Sequence, residues 1–122
     1  MKIGIMQPYL FPYIGYFQLI SAVNKFVVHD DIQYIKGGWI NRNRIQINGK
    51  EHLFTFSLEK DSSLKNINTR FFSNQFSKEK GNFLRKIKNS YNKAPFFVEI
   101  FELLNTILEH QNPNISSFII YI

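Results

Sequence analysis

Cysteine is absent from the 122 residues. That excludes a disulfide framework, a thiolate zinc site and a cysteine nucleophile. It also fits a reducing, cytoplasmic setting. Acids are few, with nine Asp and Glu against fifteen Lys and Arg, for a net charge of +6. No apolar run approaches the roughly 20 residues that a membrane helix needs. The start of the chain holds one Lys and then prolines, without the small-residue cleavage site of a secretory leader. A soluble protein without a membrane span is the expectation. There is no Gly-rich phosphate loop, zinc-ligand spacing, G-x-S-x-G or helix-turn-helix signature. No metal ligand is therefore assigned, and the cofactor stays undefined.

What is present is apolar and aromatic. Hydrophobic residues make up 44% and aromatics 16%, with 13 Phe and 6 Tyr against one Trp. This is enough for one domain with a real core, spanning 1–122. Residues 2–6 (KIGIM) read as a short strand ended by Pro8, which lacks a ladder donor. Residues 13–24 read as a helix, since Phe17, Leu19, Ile20 and Val23 recur at helical spacing. Residues 25–29 (KFVVH) read as a second strand. Strand, helix, strand in so short a span is a parallel βαβ unit with right-handed crossover. Residues 44–47 and 52–58 alternate, and Asn48-Gly49 between them is a two-residue hairpin signal. Phe54, Phe56 and Leu58 form the inward face of the second arm. Helices are expected over 78–91 with Ser77 as N-cap, over 95–110, and from 115 onward. The middle one carries an apolar stripe wide enough for burial between two layers. The fold class is α/β: a Rossmann-like parallel βαβ core with an inserted β-hairpin (1–58), followed by a mainly helical segment (59–122). The apolar end 118-FIIYI-122 carries no polar tail, and a chain shortened at its C-terminus is expected.

Two constellations carry chemistry. The loop 7-QPYLFP-12 lies beyond the carboxyl end of the first strand, where ligands gather in open α/β sheets. It feeds a helix N-terminus, whose free N–H groups suit an anion. Gln7, Tyr13, Gly15 and Tyr16 are the candidate binding residues there. The competing reading is that the aromatics only pack the corner.

The second constellation, 29-HDDIQYIKGGWINRNRI-45, leaves the second strand at the same sheet edge. His29 is a candidate general base held by a neighbouring acid, and Asp31 a candidate base or orienter. Adjacent Asp30 and Asp31 point to opposite faces of an extended chain, so only one enters a site. Arg42 and Arg44 share one face of a strand and suit a carboxylate or phosphate. Asn41 and Asn43 share the other. Trp39 offers a flat face for a base or sugar, and Tyr34 completes the set. Against this stand a structural histidine and a solvated hairpin arm.

A basic stretch follows, with eight cations and one acid, Glu79, between Lys65 and Lys93. Interleaved aromatics and cations can bind nucleic acid. Here Phe83, Ile87 and Tyr91 share one helical stripe, which reads as core, so nucleic acid is not the expected partner.

MQPYLFPYIGYFQLI, DDIQYIKGGWINRNRI, LFTFSL and YNKAPFF together resemble the WbqC-like family, in order and spacing, from residue 1 to about 112. The resemblance implies a longer parent chain and a role in bacterial O-antigen or other surface-polysaccharide synthesis. It further implies transfer of glycine or another amino-acyl group to an amino sugar. Gln7, Pro8, Pro12, Gly15, Tyr16, Asp31, Tyr34, Trp39, Asn41, Arg42, Asn43 and Arg44 match the family pattern. A more distant likeness, at fold level only, is to HIGH-type nucleotidyltransferases. There 13-YIGY-16 takes the place of the H-x-G-H helix start, without its imidazoles. The expected function is a cytoplasmic transferase binding a nucleotide sugar or activated amino acid at the strand-end loops. The alternatives are a basic nucleic-acid-binding module and a non-catalytic subunit attached to a glycan-synthesis enzyme.

Overall fold

The computed structural model describes residues 1–122. The elements run β1 (Ile3–Met6), α1 (Ile14–Ala22), β2 (Lys25–Val28), β3 (Arg42–Ile47), β4 (Lys50–Thr55), α2 (Phe76–Tyr91), α3 (Phe97–Glu109) and α4 (Ile115–Tyr121). A 3-10 turn at Ile67–Thr69 precedes α2. The α/β reading holds. β1 and β2 pair in parallel, Ile3 opposite Lys25 and Met6 opposite Val28, with α1 as the crossover. β3 and β4 form a separate antiparallel hairpin, and the helices follow.

The hairpin forms where its turn chemistry puts it. Asn48 (φ 50°) and Gly49 (φ 73°) both take positive φ, the two-residue turn that matches strand twist. Arg42 pairs with Thr55, so β3 starts two residues earlier than the alternation alone indicates. Phe54 and Phe56 turn inward and Leu53 outward. They meet Phe83 of α2: the Phe54 and Phe83 rings lie 4.6 Å apart. Phe72 stacks on Phe76 at 3.8 Å, and Phe118 closes the cluster at 5.3 Å from Phe72.

Two helical expectations need correction. α2 begins at Phe76 and Ser77 is not its cap. Burying the Phe76 ring against Phe56 and Phe72 draws that residue into the helix. The broad apolar stripe of α3 is covered on one side only. Ile107 and Leu108 are buried, while Val98, Ile100 and Leu103 face outward. Within this chain α2 is the main neighbour of α3.

Two backbone links position the site. Leu10, fully buried, donates its N–H to Ile40 O at 3.2 Å. Asn43 Nδ2 donates to Leu10 O (3.1 Å) and Phe11 O (2.7 Å). The loop after β1 is thereby fastened to β3. On the other side, Tyr34 N donates to Lys65 O, Ile67 N to Ile32 O and Asn68 N to Asp30 O, all at 2.9–3.0 Å. Residues 30–34 therefore run beside 65–68. That brings Arg70 next to Tyr34, a juxtaposition with no local sequence signal.

Candidate functional site

A polar cavity of about 480 Å³ opens between the segment before β3, the end of β4 and the loop that follows it. That volume lies within the usual range for small-molecule sites, about 300–1,000 Å³. Lys36, Arg42, Lys60 and Arg70 line it, with Glu59 and Asp61 as its acids. Tyr34, Asn41, Thr55, Ser57 and Ser63 supply neutral polar groups.

The cations are not equivalent. Arg70 is 7% exposed. Its guanidinium donates to Ser62 O and Glu59 O, each at 3.2 Å, and lies 4.8 Å from the Tyr34 ring centre. No carboxylate pairs with it; the ion pairs of the chain are His29–Asp31, Arg44–Glu51 and Lys65–Asp61. A buried charge is costly unless compensated, and here the compensation is two carbonyls and a ring face. Arg42 is held in the same manner, donating from Nε to Gly38 O (3.0 Å) and from Nη2 to Gly37 O. Asp61 makes its ion pair with Lys65 and not with either arginine. The hydrogen bond from Lys65, then the Ser62 N–H and the nearby Lys65 and Arg70 charges, hold its carboxyl below the usual value.

The neutral wall is fixed. Tyr34 OH donates to Asn41 Oδ1 at 2.8 Å, and Asn41 Nδ2 donates to Phe56 O at 2.9 Å. Burial pushes the Tyr34 phenol above its ordinary value, against the opposing pull of Arg70 and Arg42. Tyr34 is therefore a neutral hydrogen-bonding group at physiological pH.

The expected site residues divide. Tyr34, Asn41 and Arg42 meet at the cavity. Arg44 shares the face of Arg42, and both guanidiniums lie over Trp39, at 5.0 and 5.5 Å from its ring centre. Arg44, however, pairs with Glu51 at 3.2 Å and stays outside the lining. Asn43 serves the β1 loop. Gln7 accepts the Tyr16 hydroxyl at its carbonyl (2.9 Å). Tyr16 lines a second, apolar groove of about 230 Å³ with Pro8, Phe17, Ile20, Ile119 and Ile122. Tyr13 is exposed, and the space above Gly15 is filled by the Tyr13 ring, 2.3 Å from where a Cβ would stand. His29 and Asp31 form an exposed pair at 3.4 Å beyond β2 and do not line the cavity. Asp30 accepts the Ser116 hydroxyl instead. No three His, Asp or Glu come together as a metal-holding group.

Arg70, Ser57 and Lys60 were not among the residues singled out from sequence. One signal was available for Arg70. It is a lone cation flanked by Ile67, Phe71 and Phe72, an apolar setting in which a charge needs a reason.

Residues 7–122 match the WbqC-like protein family. The chain belongs to that family. It is similar to the uncharacterized protein Rv1507c of Mycobacterium tuberculosis, at 33% identity over 118 residues. That match covers 94% of this chain and 50% of the relative, so the chain spans about half the length of the curated relative it matches. No solved structure matches it. No helix is long and apolar enough to cross a membrane. Within the WbqC-like match, both the cavity and the apolar groove fall inside the shared residues.

Proposed function

We propose that this chain forms the anion-binding part of a transferase of bacterial surface-polysaccharide synthesis, of the O-antigen kind. The ligand is a nucleotide sugar or an activated amino acid. The group moved is glycine or another amino-acyl group, and the acceptor is an amino sugar. Family membership supports the setting. One observation supports the binding role: Arg70, buried and without a carboxylate partner, stands beside Tyr34 in a cavity that Arg42 and Lys36 also line. Forked guanidinium donors suit phosphate and carboxylate oxygens. Their pre-set carbonyl contacts lower the ordering cost of binding.

The His29–Asp31 pair lies outside the cavity and is given no part in holding its ligand. The test is thermal shift and calorimetry on this chain and on the full-length relative. The ligands are UDP- and dTDP-sugars, ATP and glycine. At least one phosphate-bearing ligand is expected to raise the melting temperature, and Arg42→Gln with Arg70→Gln to abolish the rise. Equal affinity in the double variant would sink the assignment. So would a stable complex with a glycan-synthesis enzyme combined with no ligand response at all.

A further inference from the structure

The cavity has a second chemistry besides its cations. Glu79, in the first turn of α2, reaches across to the end of β4. Its Oε2 accepts the Ser57 backbone N–H at 2.7 Å, and its Oε1 accepts the Ser57 hydroxyl. An ionised carboxylate only accepts, so the sense of the second bond is fixed. The Ser57 proton is committed to Glu79, and the lone pairs of Oγ remain as acceptors. Ser57 lines the cavity, and so does Glu59, whose carboxylate takes part in none of the chain's ion pairs. Inorganic phosphate offers few O–H donors to such acceptors. The cavity is also larger than such an ion requires.

We infer that the cavity takes a small molecule carrying an anionic group together with hydroxyl or ammonium donors, a sugar phosphate, and that Ser57 reads the donor while Glu79 sets the direction of its hydroxyl. Arg42 and Arg70 hold the phosphate. This rests on the anion-binding reading above and adds the substrate class and a specificity-determining residue. A ligand lacking the donor forgoes the hydrogen bond to Ser57 Oγ, and that unmade bond is where selectivity arises.

The experiment is calorimetric titration of this chain with methyl phosphate, glucose 1-phosphate and glucosamine 1-phosphate. The last two separate a hydroxyl from an ammonium as the group read. In the unsubstituted protein a sugar phosphate is expected to bind roughly three- to tenfold tighter than methyl phosphate, the worth of one hydrogen bond. Ser57→Ala should remove that preference and leave methyl phosphate binding unchanged, while Ser57→Thr should keep it. Equal binding of methyl phosphate and both sugar phosphates overturns the inference and leaves the anion site standing; it needs no variant and so does not depend on how Ser57→Ala folds. A preference that survives in folded Ser57→Ala overturns the role of Ser57. Binding of none of the three overturns the anion site itself, and the inference with it.

Discussion

Arg70 couples stability and binding at a single residue. Its removal breaks two charge-assisted hydrogen bonds and a cation–π contact. Arg70→Ala is expected to cost about 1.5–3 kcal/mol, measured by urea unfolding. Arg70→Lys should recover little, because one ammonium cannot fork to both Ser62 O and Glu59 O. Full recovery by lysine would mean that only charge matters there. Tyr34 gives a pH signature. Burial raises its pKa in the folded state, as it does for Tyr16, where the neighbouring Tyr9 adds to the effect. Below pH 10 the phenols are protonated both folded and unfolded, and their contribution to stability is intact. Above it the unfolded chain ionises first, so stability falls as pH rises through the folded values. Lys80 works the other way. Burial lowers its pKa from 10.5, so its contribution is lost as pH falls through the folded value. Tyr34→Phe should therefore flatten the alkaline loss relative to the parent protein. An unchanged slope between pH 9 and 11 would contradict the assignment.

Among the elements, the hairpin is the most locally determined. Gly49 sits at φ 73°, and a Cβ there would meet nothing within 4 Å. The cost of Gly49→Ala is thus backbone strain alone, about 1–2 kcal/mol. Gly15 offers the contrast. It lies in α1 at ordinary φ, and the only obstacle to a Cβ is the exposed Tyr13 ring. That ring can swing aside, so Gly15→Ala should stabilise by up to about 1 kcal/mol. A loss of stability that Tyr13→Ala does not relieve would show the ring to be held. The positive φ of Phe11 (46°) has a different origin. Asn43 captures both the Leu10 and Phe11 carbonyls, and the captured loop carries Leu10 into the core. The QPYLFP segment is therefore a clasp between the parallel strands and the hairpin, with Tyr9 on the apolar groove.

For the whole molecule, the core is aromatic and asymmetric. Phe56 is 1% exposed and touches the rings of Phe54, Phe72, Phe76 and Phe83. Phe56→Ala should cost about 3–5 kcal/mol, enough to unfold much of a marginally stable chain, as circular dichroism would report. Ile5 and Val27 lie on an outward face of the parallel strands, and threonine at both should change stability by less than about 0.5 kcal/mol each. The basic stretch loses its apparent strength in three dimensions. Lys65 pairs with Asp61, Arg70 is buried, and Lys80 donates to Leu108 O at the end of α3. A low-salt titration with generic DNA is expected to be flat. The sequence by itself determined the βαβ unit, the hairpin and the inward faces of β4 and α2, because period, turn residues and β-branched runs act locally. It also marked Tyr34, Asn41 and Arg42. Only the tertiary structure decided that Arg70, Ser57 and Glu79 join them, while His29 and Asp31 stand apart. Those three come from β4's end, the loop before α2 and α2's first turn. Backbone pairing of residues 30–34 with 65–68, and of 57–59 with 71–73, unites them, and long-range pairing leaves no period in the residues it brings together.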